Sequence, residues 1–153
     1  MSLDIAREHL RKFGKEKEIM EFDTSSATVA LAAQAIGTEE GRIAKSLTYQ
    51  HEDTGLMIVC AGDVRVQNRL FKETFGKKAR MLAAEEVTQK TNHDIGGVCP
   101  FGVPEALPVW LDKSLLAYDI IYPACGSSNS CVRMTPEELF EIAGAEGWVQ
   151  VCE

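Results

Sequence analysis

No stretch of the 153 residues approaches the ~18–20 consecutive apolar residues of a membrane span. The opening Met1-Ser2-Leu3-Asp4 lacks the basic-then-apolar order of a secretory leader, so a cytoplasmic protein is expected. Metal-ligand spacing is missing too. Cys60, Cys99, Cys125, Cys131 and Cys152 contain no C-x-x-C pair, and His9, His51 and His93 are scattered, so no metal site is expected. Five cysteines cannot all pair within one chain, which fits reduced thiols. Basic residues are outnumbered, 16 Lys and Arg against 23 Asp and Glu, for a net charge of −7. That excludes a surface that binds nucleic acid throughout and leaves room for a local basic patch. The glycine-rich segments carry no Gly-Lys-Ser/Thr, and no Gly-x-Ser-x-Gly occurs, which argues against a Walker loop and against a serine hydrolase elbow.

What is present is globular: 45% hydrophobic and 25% charged residues, without linker, repeat or low-complexity segment. A single domain over 1–153 is expected. Apolar spacing predicts a first helix over 3–13 ended by Gly14 and a short strand over 18–22. A second helix follows over 28–36, capped by Ser25-Ser26 and stopped by Gly37; with almost no polar face, it should be deeply packed. Strands are predicted over 43–49 and 56–61 around the Asp53-Thr54-Gly55 turn, then a helix ending near Gly76, a short strand over 79–82 and a helix over 84–90. Residues 92–108, with three prolines and three glycines, must be mostly irregular. Later strands fall over 109–112, 119–123, 130–134 and 148–151. Thr135-Pro136-Glu137-Glu138 is a capping box that starts the last helix. Hairpins among more strands than helices predict a mixed α/β fold with a mixed sheet and flanking helices.

Three features carry chemistry. Lys45 shares its strand face with Ile43, Leu47 and Tyr49, the more apolar row; Ala44, Ser46 and Thr48 lie opposite. A lysine there either meets an anion at a cleft or snorkels outward along its stem. Gly96-Gly97-Val98-Cys99-Pro100-Phe101-Gly102 can bring backbone N–H groups close to an oxyanion, or can be a plain connection. Cys99 admits a nucleophile role with His93 as base, against which stand the irregular chain between them and the tendency of cysteine to be buried. Between Arg65 and Arg80 the chain is net +5. Arg65, Arg69 and Lys72 form one helical stripe, with Lys77 and Lys78 beyond it: a phosphate-contacting face or a solvated one.

Taken in order, three segments resemble the YbaK/ProX family of aminoacyl-tRNA deacylases, relatives of the editing domain of bacterial prolyl-tRNA synthetases. They are Ser26-Ala27-Thr28-Val29-Ala30-Leu31-Ala32 through Ile43-Ala44-Lys45-Ser46-Leu47, the Gly96 to Gly102 loop, and Cys125-Gly126-Ser127-Ser128-Asn129-Ser130 leading to Thr135-Pro136-Glu137-Glu138-Leu139. The resemblance spans nearly the whole chain. It implies a strongly curved, barrel-like mixed sheet and hydrolysis of the ester between a wrong amino acid and the tRNA 3′-terminal adenosine. By position, Lys45 would hold the terminal nucleotide or the aminoacyl group. The loop, Gly97 foremost, would donate N–H groups to the carbonyl oxygen, while Gly96, Val98, Cys99, Pro100, Phe101 and Gly102 shape the pocket. Phe22, Ser26 and Asn129 would be wall residues. The attacking water would be organised by the substrate's own ribose hydroxyl or thiol, with no cofactor. Implied partners are mischarged aminoacyl-tRNA and prolyl-tRNA synthetase, with no membrane and no DNA. Phe22 and the Gly126 to Asn129 turn depart from the patterns of other branches, which leaves the edited pair open among alanyl-tRNA(Pro), cysteinyl-tRNA(Pro) and others. Two other readings stand beside this one: a noncatalytic tRNA- or synthetase-binding module of the same fold, and a thiol esterase centred on Cys99.

Overall fold

The run Leu-Met-Ile-Val-Cys-Ala has no polar position, and all six residues are buried in β3 (Leu56–Ala61), as a strand covered on both faces requires. It lies at the centre of a five-stranded sheet in the computed structural model, which describes residues 2–153. The order is β5 (Tyr122–Pro123), β2 (Ile43–Tyr49), β3, β4 (Val109–Asp112) and β7 (Gly147–Val149); β2 and β3 are antiparallel and the other neighbours parallel. Beside it, β1 (Ile19–Glu21) pairs antiparallel with β6 (Ser130–Val132). Bridges Ala124↔Cys131 and Ile121↔Met134 carry β6 onto the chain that leads into and out of β5, so the two sheets join edge to edge. This is the mixed α/β arrangement that the hairpins and strand count predict.

Helices cover the sheet where their apolar faces dictate. α1 (Ser2–Arg11) buries Ala6 and Leu10, and α5 (Pro136–Ile142) buries Leu139 and Ile142, in a core that includes Val59, Leu111 and Phe101. The predicted capping box of α5 forms: Glu138 N–H donates to Thr135 Oγ1 at 3.1 Å and Thr135 N–H to Glu138 Oε1 at 2.9 Å. On the opposite face α3 (Asn68–Phe75) sets Phe71 5.0 Å from the Tyr49 ring and 4.8 Å from that of Phe75. Gly76, at φ +82°, ends α3 in the left-handed conformation that suits glycine.

Two expectations are corrected around α2 (Val29–Ile36). Its cap is Thr28, whose Oγ1 accepts from Leu31 N–H at 3.2 Å, rather than Ser25-Ser26. Nor is the helix deeply packed: Ala32 and Ala33 are buried, while Leu31 is 40% exposed. The alanine content had hidden which side faces the sheet, since alanine suits either. The strand expected over 79–82 shrinks to a Tyr49↔Met81 bridge ahead of α4 (Ala84–Thr91), which follows Leu82 closely. Residues 92–108 are irregular, as predicted. Short 3-10 turns at Glu16–Glu18, Glu40–Arg42 and Lys113–Ala117 gave no periodic signal. No helix among the described residues is long and apolar enough to cross a membrane.

Candidate active site

Along its outer edge β2 is covered in two places with a gap between them. β5 pairs with Ile43 and Ala44 only, and Arg80 and Leu82 bond to Gln50 N–H and Thr48 O at 2.7 and 3.1 Å. A cavity of about 440 Å³ opens at this gap. Its walls come from residues 26–32 around the start of α2, from β2, from Leu82 and Val87, and from the glycine loop, with Cys131 of β6. Ser26, Ala32, Ala44, Thr48 and Cys131 are buried lining residues, whereas Met81 and Ile95, 56% and 64% exposed, stand at the rim.

Lys45 lines this cavity. Strand alternation sets it opposite Cys60 of β3, on the face that α3 covers, and its ammonium turns back to the carbonyls of Gly62 (3.4 Å) and Val64. Carbonyl dipoles solvate a cation without cancelling its charge. No carboxylate among the described residues pairs with it, so the positive field at the cavity wall is intact.

The glycine loop divides sharply. Gly96, at φ +98°, and Val98 line the cavity, and neither N–H has a hydrogen-bond partner among the described residues. Gly97 corrects the expectation of a donor: its N–H donates to Asp94 O at 3.0 Å. Its importance is steric. A Cβ at Gly97 would sit 2.5 Å from both Gly126 C and Ser127 N, so the second and third sequence motifs meet backbone to backbone. Gly102 N–H is likewise occupied, donating to His9 Nδ1 at 2.9 Å. Cys99, Pro100 and Phe101 are buried away from the cavity, because the loop turns into the core after Val98.

Of the three wall residues, Ser26 lines the cavity, its N–H donating to Ser128 O at 2.6 Å. Phe22 instead packs beside Ala32, Ala33 and Ile43, and Asn129 is exposed, donating from Nδ2 to Phe22 O at 3.0 Å. Asn129 thus holds the turn against the chain at Phe22 rather than facing the cavity.

The irregular chain does bring His93 and Cys99 together, with Sγ 3.4 Å from Nε2, but both are fully buried. His93 Nε2 lies 2.6 Å from Phe101 O, a contact that requires the proton on Nε2, so this nitrogen cannot take a proton from the thiol. Burial lowers the His93 pKa and raises that of Cys99 far above the ordinary thiol range. The pair is a core contact, so Cys99→Ser should retain ester hydrolysis within about threefold of the parent, where loss of a true nucleophile costs several powers of ten. Steady-state deacylation of the variant checks this. The cavity's own thiol is Cys131, pushed up by burial to about 11 and so protonated at neutral pH.

The basic residues also separate. Arg69 pairs with Glu73 at 3.1 Å on the exposed face of α3, with Lys72 exposed beside it, whereas Arg65, expected on the same helical stripe, precedes the helix and exchanges backbone hydrogen bonds with Glu153 at 2.9 and 3.0 Å. Lys77 and Lys78 line a second, polar cavity with Arg80, which immediately precedes the rim residue Met81. Sequence spacing could not separate these two groups, since the αL turn at Gly76 redirects the chain between them.

The family of aminoacyl-tRNA editing domains matches residues 23–142, a span that contains all three motifs and every lining residue. The chain belongs to this family. It is 47% identical to the uncharacterized protein YwhH of Bacillus subtilis (strain 168), over 100% of this chain and 98% of that one. It is 26% identical to EbsC of Enterococcus faecalis, provisionally named a Cys-tRNA(Pro)/Cys-tRNA(Cys) deacylase, over 74% of this chain and 71% of EbsC. Its fold superposes with a TM-score of 0.89 on a crystal structure provisionally described as a trans-editing enzyme for prolyl tRNA synthetase, at 32% identity, covering 99% and 97% of the two chains.

Proposed function

We propose that this editing domain hydrolyses the ester of a mischarged aminoacyl-tRNA, with alanyl- or cysteinyl-tRNA(Pro) as the first candidates, in the cavity at the open edge of β2. One observation carries the reading: a cation without a carboxylate partner, Lys45, lines the same apolar cavity as the unoccupied amides of Gly96 and Val98. Hydrolysis passes through a tetrahedral oxyanion, and amides held by a rigid loop stabilise charge that develops there. Met81 and Ile95 at the rim offer apolar surface to the terminal adenine, and Lys45 offers positive charge to the nucleotide or the acyl oxygen.

Lys45 and Cys131 are the titratable side chains on the described cavity wall, and neither suits a general base: one is a cation, the other a protonated thiol. The ribose hydroxyl beside the ester fills that role. It accepts a proton from the attacking water and passes its own to the departing 3′ oxygen as the acyl–oxygen bond breaks, so ester plus water give acid plus free tRNA. Incubation with a panel of mischarged tRNAs tests the reading. Release of amino acid from at least one, at a rate proportional to enzyme, is the expected result. Binding without release across the panel would identify a noncatalytic module.

A further inference from the structure

His9, half-buried on α1, spends both ring nitrogens on backbone groups of two other elements. Nδ1 accepts the Gly102 N–H at 2.9 Å, and Nε2 lies 2.7 Å from Ile142 O. Ile142 ends α5, where the last carbonyls of a helix have no partner within it. A carbonyl only accepts, so Nε2 carries the proton and Nδ1 the lone pair: the ring is neutral, in one tautomer. Phe13, stacked at 5.8 Å, and Phe101, tilted at 5.9 Å, keep it in that orientation.

Gly102 is the last residue of the glycine loop. Asn92 Nδ2 donates to Gly102 O at 3.0 Å and His93 Nε2 to Phe101 O at 2.6 Å, closing residues 92–102 into one loop with Gly96 and Val98 at its cavity end. Those bonds are internal, so they shape the loop without fixing where it sits. The His9 bond is external and ties the stem to α1 and, through Ile142, to α5. Ile5, one turn before His9, shows how close this seat is: a Cβ at Gly102 would lie 2.3 Å from Ile5 Cγ2 and 3.1 Å from Ile5 O. Burial of Phe101 also holds the stem, but apolar packing has no direction, whereas a hydrogen bond sets an angle.

We infer that His9 is a positioning residue for ester hydrolysis: its neutral ring seats the glycine loop on α1 and α5, and a second proton on that ring releases the loop and lowers turnover. The inference rests on the editing reading. A proton on Nδ1 would face the Gly102 N–H donor to donor, break the bond and leave a backbone amide unpaired. Asp4, Glu8 and Lys12 of α1 share a surface depression with His9, and His93 interacts with it electrostatically from the loop. From α5 come Glu141, next to Ile142, and Glu138, which pairs with Lys15. The carboxylates and the C-terminal end of α5 attract a cation, while Lys12 and the Gly102 N–H repel one. A charged ring is therefore drawn towards α5 and pushed off the loop.

Two variants divide the ring's duties. His9→Asn sets an oxygen near the Nδ1 position and cannot titrate; His9→Gln sets an amide nitrogen near Nε2 and lacks the acceptor. Near neutral pH the Asn variant should keep kcat/KM within about threefold of the parent, and the Gln variant should lose about tenfold, mostly in kcat. From about pH 8 to about pH 5 the parent should fall about tenfold relative to the Asn variant. Without substrate and at one pH, hydrogen exchange at the Gly102 amide should be about tenfold faster in the Gln variant than in the parent. Nitrogen NMR of the parent, which depends on no variant, should show Nδ1 gaining its proton over the pH range in which turnover falls. Separate ranges, a parent-to-Asn ratio level with pH, or a Gln variant as active as the parent overturns the inference and leaves the editing reading standing. A parent inactive on every ester overturns the editing reading, and this role with it.

Discussion

Lys45→Ala should lower kcat/KM for ester hydrolysis by about a hundredfold or more, in the range found when one preorganised electrostatic contact to an oxyanion is removed. The argument is electrostatic and local. Lys45 is half-buried at the wall of a mostly apolar cavity, and the groups it touches, the carbonyls of Gly62 and Val64, carry no net charge. In such surroundings a cation acts on a nearby oxyanion or phosphate more strongly than it would in water. Structural damage should be modest. Losing hydrogen bonds to two carbonyls costs about 1 kcal/mol each, well under typical domain stability. Lys45→Met separates the two effects, because it keeps the aliphatic stem against Cys60 and the cavity wall while deleting the charge. Both variants should melt cooperatively within a few degrees of the parent and both should lose turnover. A Lys45→Met variant that retains full activity would return this side chain to a purely structural role, tethering the turn after β3.

How much of this could be read from the chain divides along a physical line. β2, β3 and β4 begin and end as predicted because their apolar runs are strong and local, and α2 and α3 stop at Gly37 and Gly76, where the left-handed conformation is needed. Ser26, Lys45, Gly96 and Val98, named from motifs, do share one cavity. What escaped was set by nonlocal pairing. Alternation placed Ser46 and Thr48 on a face taken for the polar one, and only the pairing limits of β5 and of Arg80 and Leu82 make that stretch the floor of a cavity. The loop amides show the same limit. Sequence identifies a flexible glycine loop, but the partners of each N–H, Asp94 for Gly97 and His9 for Gly102, depend on the fold around it.

Gly97→Ala should be the most damaging single methyl group that can be added near the site. The new Cβ would lie 2.5 Å from Gly126 C and Ser127 N and 2.8 Å from Gly126 O, and all three are backbone atoms that cannot rotate away. The opposing turn cannot easily retreat, since Ser2 Oγ donates to Gly126 O and Gly126 itself packs against the backbone at the start of α1. Overpacking of this kind costs about 1–3 kcal/mol, and the alternative to that strain is separation of the two turns. Separation would move Gly96 and Val98, the neighbours of Gly97, relative to β2, and a displacement near 1 Å in a positioning element costs about a hundredfold in rate. The expected result is therefore a lowered melting temperature together with a hundredfold loss in deacylation. Gly96→Ala provides the contrast: its added Cβ meets only side-chain atoms, at 3.5 and 3.7 Å, so its penalty comes from the φ of +98°. If the Gly96 variant lost more stability than the Gly97 variant, the close approach of the two turns would not be what fixes the loop.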